Sequence, residues 1–260
     1  MKFIDTHCHL NDSALINETD TIIRNAKEKG CLAVFNNADS LPSMKDIIFL
    51  SKKYPSFCYA VLGIHPEHSV KDDEYQKEAF SYAEEHLSEI KAIGEIGLDY
   101  HYEATDEIKK RQQDIFRQWI RFAKQHSLPI VVHSRDAAWD TFNIIKEEKP
   151  QKVDLHCYSS SLEIYREYLK LPLEFKIGIG GVVTFKNSKV LKEIVSKGQL
   201  DSFMTETDSP YLAPTPFRGT RNEPSYIPLI ISEMAQLRQI DEETMADILL
   251  ENGEKFYGIK

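Results

Sequence analysis

The sequence predicts an α/β fold, a single (β/α)8 TIM barrel with a metal site at the C-terminal ends of its strands. Three observations lead there. Eight short apolar segments alternate with amphipathic ones along 260 residues. Five of nine histidines fall at or just beyond the last residue of such a segment. The turn after the first segment reads HCHLND, where an open nucleotide-binding sheet would place glycines.

The strand candidates, in order, are Phe3–Cys8, Leu32–Phe35, Cys58–Gly63, Ala92–Ile96, Pro129–His133, Val153–Cys157, Phe175–Gly180 and Phe203–Thr207. Helical periodicity marks Asp20–Lys29, Asp72–Glu89, Asp106–His126, Leu162–Leu169, Asn187–Lys197 and Tyr226–Leu237 between and after them. Eight parallel strands are also the number that closes a barrel and leaves no exposed edge; the rival is an open doubly wound sheet. No Ser/Gly/Pro-rich linker, repeat or low-complexity run interrupts the pattern, so residues 1–260 read as one domain.

Hydrophobic residues make up 42% of the chain and charged residues 28%, enough for a core and contrary to disorder. No run approaches the ~18 apolar residues of a membrane span, and MKFIDTHCHL is too short and polar for a signal peptide. The expectation is a soluble, cytoplasmic protein with no membrane and no obligate protein partner. Cys8, Cys31, Cys58 and Cys157 form no CxxC pair and read as reduced, buried small hydrophobes. The 32 basic and 41 acidic residues give a net charge of −9, which excludes a long basic groove for duplex DNA but not a local phosphate site.

His7, His9, His65, His133 and His156 are the strand-end histidines. Alternation along a strand sends residues i and i+2 to one side, so His7 and His9 point inward together and Cys8 outward. Asp5 lies one step deeper on the same side, where it can orient a ligand. Glu95, in AIGEIGLDY, is an inward carboxylate that burial makes costly unless it is paired or coordinated. It either bridges two cations or pairs with a basic residue such as Arg135. His133 and His156 can complete a second cation's ligands, while Cys157 faces away. In FMTETDSPYLAP, Glu206 and Asp208 share a face, with Asp208 at the mouth. Imidazole and carboxylate ligands together suit Zn²⁺ or Mn²⁺, and a carboxylate-lined site also accepts Mg²⁺. Two divalent cations are therefore expected.

Taken in order, FIDTHCHL, GIHP, GEIGLDY, PIVVHSR, LHCYS, IGIGGVVTFKN, TETDSPYLAP and FRGTRNEP resemble the TatD family of metal-dependent deoxyribonucleases, within the amidohydrolase-like metal barrels, over the whole chain. The resemblance implies that His7, His9, Glu95 and Asp208 bind one metal and that Glu95, His133 and His156 bind the other. It places His65 beside the site near the substrate. Two segments depart from the family pattern: Tyr158-Ser159-Ser160-Ser161 lacks a glycine, and Arg218-Gly219-Thr220-Arg221 lacks one lysine.

Together these readings point to a hydrolase of phosphodiester bonds, by resemblance a 3′–5′ exonuclease that takes the end of a single-stranded DNA. Asp208 positions and deprotonates the attacking water. His65, Arg135, Arg218 and Arg221 are the candidates for substrate binding; the alternative for the last two is a solvated loop paired with Glu223. The rival function is hydrolysis of a non-nucleic-acid ester, lactone or amide. Related barrels for those bonds often bridge their metals with a modified lysine on strand four, where this chain has Glu95.

Overall fold

A computed structural model describes residues 1–102 and 105–259. All eight expected strands are present and parallel, in one sheet ordered as in the chain. They are β1 (Phe3–Cys8), β2 (Cys31–Asn37), β3 (Cys58–Leu62), β4 (Ile90–Asp99), β5 (Ile130–Arg135), β6 (Lys152–Leu155), β7 (Glu174–Ile179) and β8 (Phe203–Thr205). The helices are α1 (Thr19–Glu28), α2 (Leu41–Lys53), α3 (Pro66–Ser69), α4 (Asp73–Glu85), α5 (Asp106–Gln125), α6 (Ala138–Glu148), α7 (Leu162–Tyr168), α8 (Lys189–Lys197), α9 (Ile227–Arg238) and α10 (Glu242–Tyr257).

The ends of the sheet meet at β1 and β8, and this seam is fastened differently from the other pairs. A single parallel bridge joins Cys8 to Ser209. His9 N–H donates to the Ser209 carbonyl at 2.8 Å, and Asp208 N–H to the His7 carbonyl at 2.9 Å. Side chains supply the rest: Thr6 Oγ1 donates to Thr205 O at 3.1 Å and Thr205 Oγ1 to Ile4 O at 3.2 Å. The seam leaves no long unpaired edge.

Helices α2, α6 and α10, and the single turn α3, lie outside the expected segments. In α2 the proline that reads as a breaker occupies the first turn, where a missing N–H costs nothing, behind a Ser40–Ser43 capping box. Helix α10 carries Gly253 in its interior because it packs on β1. A Cβ there would lie 2.3 Å from Ile4 Cδ1. This helix closes the N-terminal end of the barrel. Phe256 and Tyr257 join Ile4, Phe35, Val61, Val131 and Met204 in a cluster inside the strands, separate from the larger layer between strands and helices. Tyr257 stacks on Phe35 with ring centroids 3.9 Å apart.

Tyr257 also carries the polar contact that closes this plug. Its hydroxyl donates at 3.0 Å to Asp154 Oδ2, a fully buried carboxyl. Burial raises the Asp154 pKa to about 7, while the Tyr257 hydrogen bond pulls it down. The other oxygen, Asp154 Oδ1, has no partner. Tyr257→Phe leaves the carboxyl without its donor and should destabilise the fold by about 1–3 kcal/mol. The check is a lower urea midpoint at unchanged denaturant slope.

Candidate metal centre

The seam delivers the first group of site residues together. The backbone bonds that tie His7 and His9 to the turn at Asp208 and Ser209 fix all three side chains at one point of the rim. Asp208 sits in the left-handed region at φ 56°, a conformation Asp tolerates better than most residues. Glu95 comes from the middle of β4, between glycines that admit β5 closely. A Cβ on Gly94 would fall 2.7 Å from Val131 Cβ, and one on Gly97 (φ 144°) 2.0 Å from the His133 carbonyl oxygen. Local sequence and ligand placement are thus one constraint: the strand bearing the carboxylate must approach the strand bearing His133.

The two oxygens of Glu95 face different groups. Oε2 lies 3.3 Å from His7 Nε2 and 3.6 Å from His9 Nε2. Asp208 Oδ1 is 3.4 Å from the same His9 nitrogen and 3.8 Å from that of His7. Oε1 lies 2.8 Å from His133 Nδ1 and 2.7 Å from His156 Nε2. Imidazole nitrogens also face one another, His7 Nε2 to His9 Nε2 at 3.1 Å and His133 Nδ1 to His156 Nε2 at 3.3 Å. A nitrogen pair at this distance is a hydrogen bond while one of the two carries a proton, and can serve as a pair of ligands once both are bare. It is also the spacing of ligands around a cation: bond lengths of about 2.0–2.1 Å give tetrahedral edges of about 3.3–3.4 Å. The donor set fits, and ligand groups for one or two divalent cations are present: His7, His9 and Glu95; Glu95, His133 and His156.

The neighbours of each imidazole set its tautomer. His9 Nδ1–H donates to the Asn37 carbonyl at 2.9 Å, which turns Nε2 to the site. His133 Nε2 is 3.0 Å from Asp99 Oδ2, so Nδ1 faces Glu95. His65 Nδ1 accepts from Glu67 N–H at 3.2 Å, which places the proton of the neutral ring on Nε2, 3.7 Å from Glu95 Oε1. Burial lowers the His65 pKa to about 3 and keeps that ring neutral. Burial also pulls His9 and His133 down, but carboxylates outweigh it: Asp208 and Glu95 raise His9 to about 9, and Asp99 and Glu95 raise His133 to about 9. His7 falls to about 4 through burial and the neighbouring His156. Burial opposes ionisation of Glu95, yet the surrounding histidines hold its carboxyl well below the usual range.

Asp5 works through the backbone. It accepts from Thr207 Oγ1 at 2.6 Å, Thr207 N at 2.9 Å and His7 N at 3.2 Å, and makes no bond to the His7 ring. Glu206 is buried under His156, its Oε1 4.0 Å from His156 Nδ1, and accepts from the Cys157 N–H. Cys157 is half-buried, against the expectation of a buried residue, because φ 45° there turns the chain out of β6. All four cysteines are free thiols.

The centre opens into a cavity of about 420 Å³ whose lining includes His9, His65, Glu95, His133, His156 and Asp208, with Arg135 at its edge. Glu95 has no contact with Arg135, which is exposed and lies over the Tyr102 ring, 5.2 Å from its centroid. Arg218 and Arg221 are not among the lining residues. Arg218 stands 4.4 Å from the Phe185 centroid, and Arg221 pairs in two-pronged fashion with Glu18 at 2.9 and 3.1 Å, rather than with Glu223. Sequence reasoning missed Asp12, Asp39, Glu67, Asp99 and Tyr211, which also line the cavity. Only Asp99 had a signal, since it follows Glu95 by four residues on the same strand. Among the described residues, six carboxylates outnumber Arg135 and the protonated His9 and His133, so the cavity repels phosphate until cations enter it.

Comparison with known proteins places this arrangement among relatives. The family model described as TatD related DNase matches residues 4–258. An uncharacterized metal-dependent hydrolase of Bacillus subtilis, YabD, is 36% identical over 257 residues, covering 98% of each chain. The crystal structure of the TatD homolog YJJV from Escherichia coli superposes with a TM-score of 0.91 at 26% identity, over 99% of this chain and 98% of that one. A TatD family hydrolase from Entamoeba histolytica shares the fold, with a TM-score of 0.85 at 21% identity and coverage of 99% and 98%.

The raised His9 and His133 pKa values carry a sign for metal uptake. Below about 9 both rings are cationic in the metal-free protein, and each must give up one proton to become a neutral ligand. Uptake at pH 7 should release about two protons, and apparent affinity should climb as pH rises towards 9. Calorimetry in buffers of different ionisation enthalpy reads the proton count. Glu95→Gln, which replaces a charged carboxylate with a neutral amide, should keep the fold by circular dichroism yet lose bound metal and turnover.

Proposed function

The chain belongs to the TatD related DNase family, and on that premise we propose that it removes nucleotides from the 3′ end of single-stranded DNA, with Glu95 held between two divalent cations. It is a metal-dependent hydrolase; the substrate, the direction of cutting and the roles of individual residues are what we add. The observation that carries the reading is the division of Glu95, one oxygen to His7 and His9, the other to His133 and His156.

Paired divalent ions, when bound, supply Lewis-acid stabilisation of charge on a phosphoryl oxygen and make water acidic enough to attack. The chain's own groups do the rest. Asp208 stays ionised: burial pushes its carboxyl up, but the His9 hydrogen bond and nearby imidazoles hold it below the usual range. Asp208 lines the cavity, and in this reading it accepts the proton of the attacking water. His65 Nε2–H donates to a phosphate oxygen. Arg135 offers a fork for the next phosphate, with Arg218 and Arg221 further out in the loop after β8. Arg221 must leave Glu18 to contribute. As a reading of the whole chain, residues 1–260 form one catalytic domain.

An acidic protein with so few cations near its site should hold only the end of a strand. Linear end-labelled single strands should be shortened from the 3′ end in the presence of Mg²⁺, Mn²⁺ or Zn²⁺, and closed circular DNA should survive. Binding of about two or three phosphates should give a salt slope near −2; a slope steeper than about −5 speaks against an end-binding site. Asp208→Asn should lower kcat and kcat/KM together by about 10²- to 10⁴-fold. Activity on lactones or amides with none on oligonucleotides would replace the nuclease reading.

A further inference from the structure

Beside the metal cavity runs a second concavity of about 810 Å³, lined by Tyr100, His101, Lys109, Arg135, Trp139 and Ser160 among others. Resting on the nuclease reading above, we propose that this groove is a single-strand track in which Trp139 stacks a base of the nucleic acid whose scissile phosphate lies at the metal centre. Arg135 joins the two spaces, because it lines both. Trp139 follows it by four residues, so at most ~14 Å of chain separates them, a span of a few nucleotides.

Trp139 is 49% exposed. It opens α6 on the rim face and stands edge-on to Phe142, centroids 5.9 Å apart at 90°, which braces one edge of the ring. A half-exposed tryptophan braced in a groove leaves a large apolar surface open to a ligand. Its neighbours are cations over aromatic rings: Arg135 over Tyr102 at 5.2 Å and Lys109 over Tyr100 at 5.1 Å. Among the described residues, the carboxylates that line the groove, Asp136 and Asp140, are engaged locally. Asp136 meets His101 at 2.9 Å, and Asp140 accepts from Tyr100 at 2.9 Å and Gln113 at 3.2 Å. Aromatic platforms interleaved with basic groups bind unpaired bases and the phosphates between them, whatever the sequence. A duplex would hide the base faces. The Ser159–Ser160 turn, where the family glycine is missing, borders this groove and a further pocket beside α8. The track so defined leaves the metal cavity on the β5–β6 side.

Trp139 reports on its own occupancy, since the chain's other tryptophan, Trp119, is fully buried. Titrating the protein with a phosphorothioate-linked hexathymidylate should quench its emission, and thymidine monophosphate should quench it far less. Trp139→Ala should weaken hexamer binding by about 5- to 150-fold, the range for stacking one base, with a much smaller loss for the mononucleotide. Trp139→Phe should recover most of the difference, and unchanged melting temperatures should accompany both variants. Equal losses for both ligands, or hexamer binding without quenching, would overturn the track while leaving the nuclease reading in place. A hexamer that neither binds nor is cut overturns both. Quenching by a protein but not by the hexamer would make the groove a protein-docking surface and overturn the assignment to nucleic acid.

Discussion

A carboxylate only 3% exposed sits near the axis of the barrel rim, and five imidazoles converge on it. Burying Glu95 in an apolar interior would cost several kcal/mol and would drive it to the protonated form. The surrounding histidines reverse that outcome, and the arrangement around it follows from the need to bring them there. β4 runs ten residues to place Glu95 within reach of both sides of the barrel. Gly94 and Gly97 thin that strand so β5 can bring His133 alongside. His156 arrives just past the short β6, stacked on His7 with centroids 3.9 Å apart. The carboxylate has two oxygens and the histidines divide between them, so a symmetrical ligand produces a two-sided centre.

Such convergence requires the barrel to hold its last turn closed at the seam, where regular pairing is weakest. β8 has only three residues, and Asp208 lies three residues beyond it. Asp5 compensates. Its buried carboxylate gathers the Thr207 hydroxyl, the Thr207 amide and the His7 amide, fixing the backbone before His7 to the backbone before Asp208. Asn222 reinforces the far side of the turn, donating to the carbonyls of Thr207 at 2.8 Å and Tyr211 at 2.7 Å. The left-handed residues Asp136, Cys157 and Asp208 follow β5, β6 and β8 at this rim. Strained backbone at one end of a barrel is tolerable because packed strands and helices below over-determine it.

What was legible in the sequence divides along the same line. Alternation within strands is a strong rule, so His7 and His9, Glu95 and the strand-end histidines could be placed on one rim from spacing alone. Asp99 obeyed that rule and was overlooked because its strand extends past the segment that composition marks, Ala92–Ile96. Asp12, Asp39 and Tyr211 come from loops and Glu67 from the single-turn helix α3, where no period relates position to direction. The same gap applies to the basic residues. Arg218 and Arg221 fall in the long connection after β8, whose path takes one to Phe185 and the other to Glu18. Helix α2 hid behind a proline that a capping box makes harmless, and α10 behind a glycine that Ile4 requires.

Charge sets the scale on which the protein can recognise a polyanion. At −9 overall, with six carboxylates in the cavity, the chain offers a phosphate no long-range attraction of its own. Attraction must then be local and short: cations held by Glu95 and its histidines at the centre, the Arg135 guanidinium at the edge, and stacking beside isolated basic groups further out. Stacking suits the outer positions because it is indifferent to the field and survives salt, which screens surface charge over about 8–10 Å. On the nuclease reading, a surface built this way would hold the reacting end firmly and the trailing strand loosely. It also favours release of a charged product, since the carboxylates around the cavity oppose any anion that loses its grip on the cations. The acidity that argues against a nucleic-acid-binding protein at first sight is compatible with one that must let go after each cut.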